Sequence, residues 1–356
     1  MKVEDRSGKV QTVLGLIEPD SLGITLPHEH LVANGSRCYF CEPEQENDKW
    51  MAHAPVSLDN LWWLRYNTMN NRDNFDMSDV QLISRELLRF KDVGGRSVVE
   101  LTSDDHGRDA VKLKKISEST GVNVIMGAGF YVAASHSDEV LSLSEAEMAD
   151  RIVRDITVGV GDTGIRAGII GEIGCTAPLH DNERKALRAA AVAQRRTGAP
   201  LNIHPSKSDE LLLENVGILK DAGADMSRVV ISHVDGDRHA PGVMKKLAED
   251  GYYLEFDTFG YEHWMVTKYW HKFLPSDTQR VDEIMELIAA GHLKQILMSH
   301  DIYFKHTLTA YAGAGYSHIL RNVVPLMRAK GVTDEMIHTI MVENPKRMLT
   351  FAPPAA

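Results

Sequence analysis

Six side chains able to bind a metal ion stand at the carboxyl ends of five apolar, strand-like runs. They are His28 and His30 in ITLPHEHL, Glu172 in GIIGEIG, His204 in LNIHP, His233 in VVISHVD and Asp301 in ILMSHD. A strand turns successive side chains to opposite faces, so His28 and His30 share a face, with Cα atoms about 6.5–7 Å apart, while Glu29 points away. A lone H-x-H, or a lone His after an apolar run, is more often a hydrogen-bonded core residue than a ligand. Glu172 is harder to dismiss, because a carboxylate buried in IIGEIG costs several kcal/mol or more unless it meets a cation, on the order of the penalty for any unpaired buried ion. Four His and two carboxylates exceed the need of one tetrahedral ion and suit a two-metal site.

These runs alternate with amphipathic segments. The strand candidates are 97–102, 123–129, 167–174, 200–205, 228–234, 252–258 and 295–301, and the His28–His30 segment makes eight. Between them lie helical patterns such as SDVQLISRELLRFKDVG and ERKALRAAAVAQRRTG, opened by Ser78 and Asp181 as caps and closed near Gly94, Gly198 and Gly291. Eight strands alternating with helices predict an α/β fold, a (β/α)8 TIM barrel whose strand ends bring all six ligands to one mouth. No Gly-rich phosphate turn appears in the right context.

Three regions exceed a minimal barrel. KVQTVLGLIEPDSLGITL reads as a β-hairpin ahead of strand one, with turn chemistry at Glu18-Pro19-Asp20. Residues 31–77, with Trp50, Trp62, Trp63 and Tyr66, form a long insertion after strand one, and 259–277 form an aromatic loop after strand seven. Loops after strands lie on the active face, so both are candidate pocket walls, or else their aromatics merely anchor them. The expected organisation is a single domain over 1–356, with the hairpin at 8–26 and the barrel at about 26–350.

The 356 residues are 43% hydrophobic and 25% charged, the balance of a globular enzyme, and the net charge of −11 argues against nucleic acid or anionic membrane as partner. The N-terminus has no apolar signal region and no run approaches membrane-spanning length, so a cytoplasmic protein is expected. Cys38, Cys41 and Cys175 are too few for a disulfide framework, and CYFC reads as two ordinary thiols in a loop.

With its GKVQTVLG opening, H-E-H, GIIGEIG and the single His at the ends of strands five and six, the chain resembles the phosphotriesterase family of the amidohydrolase superfamily, from residue 8 to ENPKRMLTF at 343. The resemblance implies two divalent ions, usually zinc. His28, His30 and Asp301 would hold the more buried one, His204 and His233 the more exposed one, and Glu172 would bridge them. Glu172 departs from the carboxylated lysine of the better-known members but bridges without modification, with Gly171 and Gly174 expected to let the strand adjust. A second departure is Asp257-Thr258, where paraoxon-hydrolysing members carry a proton-relaying His, which argues against efficient phosphotriester turnover.

Two ions sharing a water acidify it and polarise a carbonyl, and Asp301 is placed to take the proton and return it to the leaving group, with Asp257 the next candidate for that base. The expected activity is metal-dependent hydrolysis of a small-molecule amide of an N-acylated amino acid or amino sulfonate, ahead of lactones or esters, and those ahead of phosphotriesters. Tyr131, in GAGFYV, matches a pocket-facing aromatic of related lactonases and would orient that carbonyl. Arg108 and Asp109 read as a helix-start ion pair, and Lys207 and Arg238 as exposed loop cations. Two rivals are a non-catalytic ligand-binding barrel, disfavoured because all six ligands are retained, and a one-ion deaminase, disfavoured by Glu172. A homodimer is a further expectation.

Overall fold

Short β-branched and apolar runs buried on both faces favour a parallel sheet, and eight of them form one here. The computed structural model describes residues 6–236, 239–262, 264–266 and 271–355. An N-terminal hairpin, β1 (Val10–Thr12) and β2 (Gly15–Ile17), precedes the barrel strands β3 (Ile24–Glu29), β4 (Gly95–Glu100), β5 (Asn123–Ala128), β6 (Ile169–Gly174), β7 (Leu201–His204), β8 (Val229–Ile231) and β9 (Tyr253–Phe256). A small antiparallel pair, β10 (Trp264–Val266) and β11 (His271–Phe273), separates β9 from the last barrel strand, β12 (Ile296–Met298). The eight barrel strands pair in parallel and in sequence order. Closure between β12 and β3 runs through Ser299, whose Oγ donates to the His28 carbonyl (2.7 Å) and accepts from the His28 N–H (3.1 Å). The (β/α)8 barrel expected from sequence is the fold observed.

Alternation divides the strands into two sets. Leu201, Ile203, Val229, Ile231, Leu254 and Phe256 face the helices, while Val99, Ile125, Ile169, Val230, Tyr253 and Leu297 fill the barrel interior with Val10, Leu22 and Met348. The lower barrel is thus a packed core, which leaves the barrel's interior open only toward the mouth among the described residues.

Several local expectations shift. The hairpin reverses between Thr12 and Gly15, whereas Pro19 opens a single 3-10 turn (Pro19–Ser21) leading into β3. Asp79, not Ser78, caps the helix Val80–Asp92, accepting from Gln81 and Leu82 N–H, because its carboxylate lies one residue nearer the free donors. His180, not Asp181, caps Asp181–Thr197 through Nδ1, and Gly198 ends that helix at φ 71° as expected. Arg108 and Asp109 do not pair. Arg108 binds Asp155 (2.9 Å), and Asp109 caps Ala110–Thr120.

In the insertion the aromatics divide. Trp63 is buried with Met51, Val56, Leu61 and Leu64 and donates its indole N–H to Asp48 (2.9 Å), so it anchors the loop. Trp50 and Trp62 are exposed, and Tyr66 lines a cavity of about 370 Å³ with Phe259, Tyr261 and Ile302. Arg238, and Tyr269 and Trp270 of the loop after strand seven, lie outside the described residues.

Candidate metal centre

Six side chains from five strand ends meet at the barrel mouth. His28 lies near the end of β3 and His30 directly follows it, Glu172 lies in β6 and His204 ends β7. His233 and Asp301 stand two and three residues beyond β8 and β12 and take left-handed conformations, φ 58° and 53°. Such angles are uncommon without glycine and cost about 1–3 kcal/mol each, so they persist where surrounding contacts over-determine them.

Three groups of three bring their donor atoms within 4.8 Å of one another: His28–His30–Asp301, Glu172–His204–His233, and His28–His233–Asp257, the last meeting on the Nδ1 side of its two imidazoles, so the first two are the candidate ion sites. Asp301 Oδ1 lies 3.0 Å from His30 Nε2 and 3.7 Å from His28 Nε2. Glu172 Oε2 lies 2.8 Å from His204 Nδ1 and 3.1 Å from His233 Nε2. It also lies 3.8 Å from His28 Nε2, while Oε1 lies 3.8 Å from His30 Nε2, so one carboxylate faces both groups.

Three of the four imidazoles are aimed by their other nitrogen. His28 Nδ1 meets Glu255 (2.9 Å) and Asp257 (3.2 Å), His30 Nδ1 meets Thr102 Oγ1 (2.8 Å), and His233 Nδ1 meets Asp257 (2.9 Å). Carboxylates and hydroxyls behind metal-binding imidazoles fix the tautomer and leave the far nitrogen's lone pair to an ion. Below them a polar layer locks the aim. Asn202 Nδ2 and Ser232 Oγ both donate to Glu255 Oε2, at 2.9 and 2.8 Å. Glu29 faces away from the mouth, as its place in H-E-H predicts. It accepts from His300 N and Ile302 N, shares the single Ser299 hydroxyl proton with the His28 carbonyl, and so grips both flanks of Asp301.

The donor set fits a cation. Among the described residues His28 Nε2 is buried with no hydrogen-bond partner, and His204 Nδ1 and His233 Nε2 face each other at 2.8 Å. Two imidazole nitrogens that close need a shared proton or a positive ion between them. Burial opposes protonation of His28, but the Asp257 and Glu255 carboxylates outweigh it and hold its pKa well above the ordinary value. His233 is likewise carried against burial to about 10, chiefly by Asp257. Burial would raise Glu172, yet the surrounding imidazoles hold it well below the carboxylate range.

A small cavity of about 20 Å³ opens above these ligands, walled by Tyr39, His106, Tyr131 and Tyr303. Tyr131 Oη lies 2.8 Å from Tyr39 Oη and 3.4 Å from His204 Nδ1. His106 is pushed down to about 3 by burial, with His30 nearby adding to the shift, so it is a neutral wall. Lys207, three residues beyond His204, is half-buried rather than exposed, and burial lowers its pKa to about 8.

A sequence model of the phosphotriesterase family matches residues 8–349. The chain belongs to the phosphotriesterase family. Two relatives named N-acetyltaurine hydrolase, from Dictyostelium discoideum and Homo sapiens, are each 42% identical to it, covering 98% and 97% of this chain and 99% of theirs. The crystal structure of a resiniferatoxin-binding protein from Rhodobacter sphaeroides superposes with a TM-score of 0.93 at 38% identity, over 97% of this chain and 95% of that one. A phosphotriesterase homology protein from Escherichia coli, crystallised with phosphate in its active site, gives 0.75 at 27% identity over 93% and 99%.

Within this family framework, two sequence readings change. Gly171 and Gly174 give β6 no slack, because a Cβ at Gly171 would lie 2.4 Å from Asn202 O and one at Gly174 2.2 Å from Val132 N. Asp257 stands behind His28 and His233, on their Nδ1 side, which is the place of an orienting group rather than an alternative base. Sequence reading also passed over Thr102, Asn202, Ser232 and Glu255. The period-two alternation held a signal for two of them, since Asn202 and Glu255 sit two residues before His204 and Asp257, on the same inward face.

Proposed function

We propose that this chain is a single-barrel, metal-dependent amidase with a binuclear, zinc-type centre, hydrolysing small N-acylated amino sulfonates such as N-acetyltaurine, or N-acyl amino acids. The observation that carries it is the facing pair of three-ligand groups with Glu172 turned to both. His28, His30 and Asp301 would hold one ion, His204 and His233 the other, and Glu172 both. Bound there, divalent ions supply Lewis acidity toward a water and an amide carbonyl.

The chain's own groups do the rest. Asp301 Oδ1 is turned to His28 and His30, leaving Oδ2 to take a proton from the attacking water and return it to the leaving nitrogen. Tyr131 Oη, beside His204, is placed to donate to the carbonyl being attacked. Thr258 Oγ1 is bound to Asp235 (2.6 Å) and offers no proton relay, which supports amides over phosphotriesters.

No helix of the described residues is long and apolar enough to cross a membrane. A cytoplasmic location and pairing of two chains through the insertion's exposed Trp50, Leu58 and Trp62 belong to the same proposal. A monomer mass in light scattering removes the pairing.

The test is a kinetic screen of zinc-loaded protein on N-acetyltaurine, N-acetyl amino acids, lactones and an aryl phosphotriester. The amides should lead in kcat/KM. A lactone or phosphotriester ahead of every amide overturns the substrate class, and inertness toward all of them with metal bound favours the ligand-binding barrel.

A further inference from the structure

Behind the mouth, on the helix Asp277–Ala289, Arg280 is fully buried although it lies in the outer layer of the fold. A buried guanidinium persists only if its donors are satisfied, and here they are spent on four acceptors. Nε donates to Asp235 Oδ2 (2.8 Å) and Thr258 Oγ1 (3.0 Å), Nη1 to Asp277 Oδ1 (2.9 Å) and Nη2 to the Tyr261 carbonyl (2.8 Å).

Two of these contacts lead to the candidate ligands. Asp235 accepts the backbone N–H groups of Asp257 (3.2 Å) and Thr258 (3.1 Å), which fixes the residue whose carboxylate aims His28 and His233. Asp257 Oδ2 also takes the His233 backbone N–H (3.0 Å), at the residue held at φ 58°. Tyr261, gripped through its carbonyl, sends its hydroxyl to the Asp301 carbonyl (3.0 Å), beside the other left-handed position. One cation is therefore tied to both strained ligand positions, one from each three-ligand group.

We propose that Arg280 is a positioning residue that sets the relative geometry of the two halves of the metal centre, acting through Asp235–Asp257 on one side and Tyr261 on the other. It touches no ligand, so it works by aim. Its planar fork spans the acceptors at once, which a lysine ammonium cannot do. The inference rests on the metal reading of the six ligands, and the wild-type titration below tests that separately.

The experiment is a zinc titration of metal-depleted full-length protein, with thermal melting and kinetics alongside, for wild type, Arg280→Lys and Arg108→Lys. Arg108 is a buried control whose side chain pairs with Asp155 and the Gly127 carbonyl (2.7 Å) and with no residue of the Asp235–Asp257 or Tyr261 chains. Arg280→Lys should weaken zinc binding roughly 10–100-fold, the usual effect of losing an outer-shell partner. Excess zinc should recover activity, and Arg108→Lys should lower the melting temperature without weakening zinc. Wild-type zinc affinity in Arg280→Lys, or an equal loss in Arg108→Lys, overturns the proposal. Should Arg280→Lys not fold, Thr258→Val decides, since it removes only the hydroxyl between Asp235 and Arg280. A loss of about threefold or more in zinc affinity supports the proposal, one hydrogen bond's worth, and an unchanged affinity overturns it. A wild-type protein that binds no zinc sinks the metal reading instead.

Discussion

At Asp301 one carboxylate oxygen faces two imidazoles, and under the proposed function the other would handle a proton. The chain bends into φ 53° to place it, held by Glu29 at Ser299, His300 and Ile302 and by Tyr261 at its carbonyl. Asp301→Asn keeps a neutral oxygen toward the ion and the size of the side chain but removes the basic site. Turnover should fall roughly 10²–10⁴-fold, the usual worth of general acid–base catalysis, with most metal retained. Near-normal kcat in that variant places the base elsewhere. The six ligand candidates were legible at this scale because His and acidic side chains at the ends of apolar runs are conspicuous. Their supports were not, because Thr102, Ser232 and Asn202 look like any polar residue of a strand until the barrel closes and shows what each one touches.

Among the elements, the strands were legible to within a few residues and the barrel followed from their alternation with helices. Caps were misplaced by one residue, as at Asp79 and His180, because neighbouring residues compete to reach the same free N–H groups and only geometry picks the winner. Glycine carried meaning that sequence did not reveal. Gly171 looks like slack in GIIGEIG, yet it sits at φ 121° with the Asn202 carbonyl where a side chain would be. Gly217, inside the helix Asp209–Asp221, has nothing within 4 Å of the same atom. The two should respond oppositely to alanine. Gly217→Ala should stabilise by about 0.5–1 kcal/mol, the helix-propensity gain. Gly171→Ala should cost about 3 kcal/mol or more through backbone overlap at a positive φ, and should disturb the adjoining Glu172. Paired urea melts measure both, and equal shifts would mean β6 has the freedom its sequence suggests.

Over the whole molecule, the candidate ligands tie β3, β6, β7, β8 and β12 together at one end, while the hairpin and Met348 pack the other. The mouth therefore concentrates buried polar groups that a cation would reconcile, and metal should count as part of the fold's stability. Each ion bound only by the native state adds about 4 kcal/mol at a thousandfold excess over its Kd. Chelation should accordingly lower the melting temperature sharply, and zinc should restore it at about two equivalents per chain, the stoichiometry of a two-metal site. The source of the bridge decides how recovery proceeds. A lysine bridge must first be carboxylated, so its assembly depends on bicarbonate, whereas Glu172 already carries its carboxylate between the two groups. Reconstitution in degassed buffer should then give the same melting temperature and activity with or without added bicarbonate. Recovery that needs bicarbonate moves the bridge to a lysine. A single equivalent, unchanged in Glu172→Ala, would leave one ion at most and remove the centre on which the amidase reading stands.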